Sequence, residues 1–436
     1  MTVTTVGVVT YWTAVRDSFI SDDFTMLPYV RILMVNPFEI LNWPSEVFRV
    51  VSYIYFAICL KAFGASPEPF YWTGIALHIF VSLLVGSLAL NLTRNFRAAW
   101  AGALFFVVYE RHQEAVMWIS AINDTLVALF CVLFLQLWDR SLARDSRLRT
   151  TLALGTLFIA MFSKEGWAAM VPLGILLAVQ RQWSWERIAR RSIPLLVMIG
   201  LYATLWLSNA HRNFFIVDGH YTLSWHALTV YANTFARLVA QVAVIAIALQ
   251  LVCRRSDLAG LVRNRAVQFF FVMVALSIVP YSFLTYLDHI PSRNTYLPSV
   301  GVAGLAGILY AFFLDQARNV RRRVGIGLFA AILVMNSVYI WIKKEPQFRE
   351  RAAPTRELLA ILNERPPSNT TGPIHVCGFP LHVSIGQTAV EGFTPLAPGS
   401  VVFQEQCEGT GATPILQWDA ARENYTRIGA TVSSGQ

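Results

Sequence analysis

The sequence predicts an all-α polytopic membrane protein carrying a small α+β appendage outside the membrane. Three observations predict it. Hydrophobic residues make up 55% of the 436 residues and charged residues only 14%, against roughly 25% charged in an ordinary soluble domain. Apolar runs recur at short intervals through residue 342, and mean hydropathy is +0.49. The last stretch, 343–436, turns polar and rich in Pro, Gly and Thr. The same numbers exclude a disordered chain, a collagen-like repeat, a coiled coil and a secreted disulfide scaffold.

Runs able to cross, or nearly cross, a hydrocarbon core of about 30 Å fall at approximately 70–92, 98–109, 117–138, 150–162, 167–180, 192–208, 228–252, 267–286, 297–314 and 324–342. Alternate turns are Arg-rich. They hold Arg94 and Arg97; Arg140, Arg144, Arg147 and Arg149; Arg181, Arg187, Arg190 and Arg191; Arg254, Arg255, Arg263 and Arg265; and Arg318, Arg321, Arg322 and Arg323. By the positive-inside rule these turns face the cytoplasm. The net charge of +9 is therefore a topology signal, and nucleic-acid binding is set aside. The opposite turns carry mixed charges and His: Asp22 and Asp23; Glu110, Arg111, His112 and Glu114; Lys164 and Glu165; His211 and Arg212; Asp288, His289 and Arg293.

Three of the runs, 98–109, 150–162 and 167–180, reach only about 18–21 Å at 1.5 Å per residue. Their outer turns should lie below the membrane surface, where charge is tolerated only when it lines water or is paired within protein. The His112 and Lys164 turns are therefore expected to floor a wet cavity open to the outside.

Ahead of these runs, Val3–Val15 is apolar but short. It reads as a shortened first helix or as a chain whose true start lies upstream; without a basic n-region it does not read as a cleaved signal peptide. Residues 24–69 read as a long outer loop, with Glu46–Phe63 an amphipathic helix along the interface. Residues 1–342 form the membrane part and 343–436 the outer appendage. Within the appendage Thr355–Asn363 reads as a short helix, and Ile374–Phe379, Val401–Gln406 and Pro414–Trp418 as strands. Cys59, Cys131 and Cys253 read as core packing. Cys377 and Cys407 both lie in the appendage, where a disulfide is permitted. No zinc spacing, Walker loop, dinucleotide fingerprint or nucleophile elbow appears.

Four segments carry candidate chemistry. In Ser21-Asp22-Asp23-Phe24 two adjacent carboxylates repel, which raises a pKa and suits a proton acceptor or a metal ligand; the plainer reading is a solvated helix cap. The stretch from Tyr109 to Asp124 concentrates Glu110, Arg111, His112, Glu114 and Asp124. A network of ion pairs accounts for Glu110 and Arg111, but Asp124 lies inside an apolar helix, where an unpaired charge costs roughly 3 kcal/mol. Ser163-Lys164-Glu165-Gly166 breaks two short helices apart; its Lys either pairs with Glu165 or neutralises a phosphate. Ser292-Arg293-Asn294-Thr295-Tyr296-Leu297-Pro298 puts an Arg beside a membrane helix, as a snorkelling side chain or a phosphate clamp.

In this order the segments resemble the membrane glycosyltransferases of the GT-C superfamily. The residues that carry the likeness are Asp22-Asp23, His112-Gln113-Glu114-Ala115-Val116-Met117-Trp118-Ile119-Ser120 closing at Asp124, Ser163-Lys164-Glu165 with Pro172, and Arg293 with Tyr296-Leu297-Pro298-Ser299. The likeness spans roughly residues 20–345 and is nearest to the protein O-mannosyltransferase branch, especially the transmembrane mannosyltransferases that carry tetratricopeptide repeats. This chain has no such repeats. It also departs at Tyr109-Glu110, where the branch has His-Pro; at Ala121-Ile122, where it has Gly-Arg, so one cation is missing; and around His78, where Tyr71 and Gly74 replace a His and an Asn.

What the resemblance implies is a GT-C-like bundle of about 10–12 spanning or partly spanning helices that transfers a sugar from a polyprenyl-phosphate donor to an acceptor hydroxyl on the extracytoplasmic side, with inversion. Asp22 would be the general base, with Asp23 supporting it. Lys164 and Arg293 would hold the donor phosphate, and His112, Glu114, Asp124, Arg111, Glu165 and His78 would orient substrates. A divalent metal, Mg or Mn, is required in some members; Asp22 and Asp23 are its only candidate ligands here. The partners are the lipid-linked donor, membrane lipid, and an acceptor that is a protein, a glycan or a lipid. The preference for Arg over Lys suits a GC-rich bacterial genome, hence an inner-membrane protein whose site faces the periplasm. The alternatives are a transporter or flippase for a lipid-linked or anionic substrate, and a relative that has lost activity. Against transport, no internal repeat relates the two halves and the charges gather on one face instead of the midplane.

Overall fold

In the computed structural model, residues 3–41, 49–209, 211, 217, 219–253, 258–284, 287–317, 319–364, 373–406 and 415–428 are described. Among them six helices are long and apolar enough to cross a membrane: Pro67–Thr93, Ile119–Arg144, Trp185–Ser208, His226–Leu251, Pro298–Asp315 and Asn319–Glu364. Four shorter apolar helices, Val50–Phe63, Phe96–Val108, Glu165–Gln180 and Arg265–Tyr281, pack with them, as does Arg147–Met161. The apolar runs of the sequence thus become helices in the anticipated order, and the short ones stay short.

Burial divides the helices into core and periphery. The apolar windows of Pro298–Asp315 and Ile119–Arg144 are 89% and 83% buried, those of Trp185–Ser208 and Asn319–Glu364 only 17%. The outer helices therefore present Leu196, Val197, Leu201, Val244, Leu251, Val334 and Met335 at their surface, the apolar exterior that a lipid solvent tolerates and water does not. At the centre, Phe96–Val108 lies against Pro298–Gln316 through small residues. A methyl group at Gly307 would overlap the backbone carbonyl of Ala98, and one at Gly102 would come within 3.1 Å of the Ala303 carbonyl. Such close backbone approach is the main route to helix association where lipid replaces water.

The Arg-rich ends are pinned by carboxylates. Asp139 takes Arg181 through bonds of 2.8 and 3.0 Å, Asp145 takes Arg187 and Arg191, and Asp315 takes Arg97. Asn95 caps Phe96–Val108 by accepting from the amides of Arg97 and Ala98. Arg212, Arg254, Arg255, Arg318 and Cys407 lie outside the described residues, as do residues 46–48 of the suggested interfacial helix.

The structure corrects the reading of 24–69 as a loop. Helix Asp23–Val35 occupies its first part, while the helix expected over Glu46–Phe63 is present as Val50–Phe63; Phe24, Leu27, Val30, Tyr53 and Phe56 bury against the bundle. Likewise Thr355–Asn363 is not a separate short helix. It ends a helical stretch running from Asn319 through a π-helical turn at Ile340–Lys344 to Glu364, without a break at 343.

The appendage is a four-stranded sheet of β1 (Ile374–Cys377), β2 (Val401–Gln404), β3 (Ile415–Asp419) and β4 (Asn424–Ile428) in the order β2-β1-β3-β4. β1 runs parallel to β2 and β3, and β3 pairs antiparallel with β4, Leu416 opposite Arg427. Leu358, Leu362, Ile374, Val376, Val390 and Leu416 form its core. Three strands were legible in the sequence; β4 and helix Val383–Phe393 were not. Helix Val383–Phe393 docks on Asp23–Val35, with Phe393 5.3 Å from Phe24 and 5.6 Å from Phe19. Cys377 is disulfide-bonded, whereas Cys59 and Cys131 are buried free thiols.

Candidate functional site

Four chain segments meet at the end of the bundle opposite the Arg-rich turns: the Asp22 turn, the Glu110–Ala121 connection, the Lys164 turn and the Ser292–Thr295 turn. Each is a short 3-10 or irregular passage between helices. Short helices leave these polar turns inside the protein instead of beyond it.

The two aspartates are unlike. Asp23 is fully buried. Its Oδ2 accepts from the Ile20 amide at 2.8 Å, and its Oδ1 from the Ser120 amide at 2.7 Å and from the Ser120 hydroxyl. Burial pushes its pKa up to about 7, against those three bonds. Asp22 is exposed, and its carboxylate accepts no hydrogen bond among the described residues. Lying in a concave, partly desolvated place, it too has a raised pKa, opposed by the guanidiniums of Arg293 and Arg49. Both oxygens of Asp23 accept from protein donors, and among the described residues no group of three or more His, Cys, Asp or Glu is placed to hold an ion.

Lys164, 5% exposed, donates to both oxygens of Asp124 and to Asn294 Oδ1, each at 2.6 Å. An ammonium has three protons, so these acceptors consume all of its donors. Desolvation lowers its pKa to about 8, against the opposing charge of Asp124. This answers the cost of Asp124 inside an apolar helix: the carboxylate is paired and hydrogen-bonded. Arg293 differs. Its backbone amide donates to Glu114 Oε2 at 3.0 Å, while its guanidinium lies over the Trp118 ring at 4.8 Å and has no ion pair among the described residues. Glu114, whose other oxygen faces Arg351 at 4.0 Å, thus fixes the turn that presents Arg293.

A cavity of about 470 Å³ opens beside these groups. Arg49, Lys164, Glu165, Arg293 and Asn294 form its polar end, and Trp167, Ile199, Tyr202, Trp206, Phe283 and Leu284 line its apolar wall. Arg49 reaches Glu165 at 3.3 Å.

Of the sequence candidates, Lys164, Glu165 and Arg293 line this cavity, and Asp22, Asp23, Glu114, Asp124, His78, His112 and Arg111 do not. His78 is fully buried; because a carbonyl can only accept, its Nε2–H donates to Val107 at 3.1 Å, leaving Nδ1 to accept from the Tyr296 hydroxyl at 2.7 Å. His112 is equally buried among His78, Phe106, Tyr109 and Tyr296, and burial holds it well below the usual imidazole pKa, hence neutral. Arg111 pairs with Glu110 at 2.9 Å.

Arg49, Ser120 and Asn294 escaped the sequence reading as site residues. Ser120 and Asn294 stood inside the quoted motifs without a role. Arg49 had one signal: it is the lone basic residue between Arg31 and Lys61. Compared with protein-family models and with curated protein sequences, the chain matches none.

Proposed function

We propose that this protein is an integral membrane glycosyltransferase of the GT-C type. It moves a sugar from a polyprenyl-phosphate donor to an acceptor hydroxyl on the face opposite the Arg-rich turns. The observation that carries the reading is an exposed carboxylate, Asp22, within electrostatic reach of Arg293 and Arg49, two residues of a cavity that joins cations to an apolar wall. A phosphate attached to a long hydrocarbon has that polarity.

Asp22 accepts the acceptor's proton as its oxygen attacks the anomeric carbon. The bond from that carbon to the phosphate oxygen breaks, the phosphate departs toward Arg293, and displacement from the opposite face inverts the centre. Asp23, through Ser120 and Ile20, holds the turn that aims Asp22. Lys164, saturated by Asp124 and Asn294, supplies positive field instead of a donor. Cations fixed before the reaction stabilise charge as it develops without reorganising.

The test is sugar transfer or donor hydrolysis by purified protein in detergent, with a panel of polyprenyl-phosphate monosaccharides, comparing the parent with Asp22→Ala. Turnover lost in Asp22→Ala supports the class. A folded protein that neither turns over nor binds any donor overturns it.

A further inference from the structure

We infer that the groove between helices His226–Cys253 and Asn319–Tyr339 is a second binding site, and that it takes a lipid whose headgroup is uncharged and bears hydroxyls. The groove encloses about 400 Å³, and its lining includes Phe105, Glu110, Gln241, Val244, Met335 and Asn336. It shares no lining residue with the cavity beside Lys164, so the inference stands apart from the transferase reading. Both helices are peripheral, with apolar windows 22% and 17% buried. Val244 and Met335 are 64% and 65% exposed, so the groove opens on the flank of the bundle.

Polarity is graded along the groove. Helix Phe96–Val108 starts at the Arg-rich end and has 13 residues. That is about 20 Å of rise, so Glu110 lies roughly two thirds of the way across a hydrocarbon core of about 30 Å. Gln241 and Asn336 meet it there: the Gln241 side-chain amide donates to Glu110 Oε1 at 3.4 Å, and Asn336 Oδ1 accepts from the Glu110 backbone amide at 3.1 Å. One turn nearer the Arg-rich end the lining is apolar, with Val244, Ile245 and Ile332. One turn farther out stands Tyr339, 42% exposed. A lipid in the leaflet on that side has the same order, head outward and chain inward, and Glu110 sits at the level of its glycerol and uppermost chain carbons.

The bonding left open selects the headgroup. Arg111 also reaches Oε1 of Glu110, at 2.9 Å. Glu110 Oε2 and Gln241 Oε1 accept nothing among the described residues, while the Asn336 amide already donates to the Ile332 carbonyl at 2.9 Å. The groove therefore offers acceptors, and Arg111, the cation beside it, is matched by Glu110. A phosphate would bring further acceptors and negative charge to a carboxylate. A hydroxyl brings a donor, and a carboxylate held at a depth without water gains from one.

The experiment uses the full-length protein in a detergent without hydroxyl groups and measures equilibrium binding of monooleoylglycerol. Methyl oleate, which keeps the chain and lacks the hydroxyls, and oleoyl lysophosphatidic acid, which adds a phosphate, are separate arms. Monooleoylglycerol should bind roughly tenfold more tightly than methyl oleate, the value of one hydrogen bond to a charged acceptor. Equal binding of the two identifies a plain apolar groove and overturns the inference. So does lysophosphatidic acid that binds more tightly still and is lost in Met335→Trp, which identifies a phosphate site. Gln241→Leu should weaken monooleoylglycerol roughly threefold and leave methyl oleate unchanged; an undiminished preference overturns the assignment of the acceptors. Met335→Trp, at a position 65% exposed, fills the groove without entering the core and should abolish the hydroxyl-dependent binding. Val244→Trp, on the facing helix, should do the same and decides the matter if Met335→Trp does not fold. Monooleoylglycerol that still binds these variants with its preference intact lies elsewhere on the protein, and the inference fails.

Discussion

Adjacent aspartates with opposite surroundings make a prediction that separates chemistry from architecture. Asp23→Asn keeps the shape but replaces one carboxylate oxygen with an amide that can only donate. Whichever way the amide turns, it meets a donor: the Ile20 amide on one side, the Ser120 amide and hydroxyl on the other. At least one buried donor loses its acceptor, costing about 1–3 kcal/mol, and the remaining bonds lose their charge assistance. Relief of the burial cost that raises the Asp23 pKa offsets part of this, leaving roughly 1–2 kcal/mol and a Tm lowered by a few degrees. Asp22→Asn removes a charge from an exposed side chain and should stay within about 0.5 kcal/mol of the parent, while turnover falls by two orders of magnitude or more, as expected on losing a general base. Thermal unfolding in detergent, run beside the transfer assay, reads both. Equal destabilisation by the two variants, or turnover surviving Asp22→Asn, would refute the division of labour.

The pH–rate profile should have its acid limb above the ordinary carboxylate range, because burial raises the pKa of Asp22 and the base works only when ionised; since Arg293 and Arg49 lower that pKa, Arg49→Ala should move the limb further up. Asp17, buried with one oxygen unpartnered and beside Glu345, is raised to about 7. A folded acid raised above its unfolded value of 3.8 takes up a proton on folding, so its contribution to stability declines as pH rises from about 4 to about 7; Asp17→Asn should therefore stabilise the protein by roughly 1–3 kcal/mol at pH 8 and much less at pH 5, measured by unfolding at both. Lys164→Ala should cost roughly 3–5 kcal/mol by stranding Asp124, and Lys164→Met with Asp124→Leu should recover most of it; failure to recover would mean that the pair is not the source. Phe393→Ala should free helix Val383–Phe393 from Asp23–Val35, visible as faster proteolysis within 383–393.

How much of this was legible beforehand depends on the range of the physics involved. Apolar runs as long as a helical crossing are local facts, so their order, their number and the short lengths of 98–109, 150–162 and 167–180 could be read from composition alone. The same holds for the clustering of Asp22, Glu114, Lys164 and Arg293 in turns of one parity. Partner choice is not local. Nothing near Lys164 in sequence announces Asp124, 40 residues away, or Asn294, 130 residues away, and those partners take up the protons of its ammonium group. Nor does the sequence distinguish Asp22 from Asp23. The turn at Ser21, with φ of 46°, and the approach of Ser120 bury one carboxylate and leave its neighbour in the open. Arg49 had no motif at all; only the packing of Val50–Phe63 against the bundle carries it into the cavity. Sequence by itself determined which residues must leave water and which could not. The tertiary structure decided which charges meet, because a buried charge takes the nearest partner in space, whatever its distance along the chain.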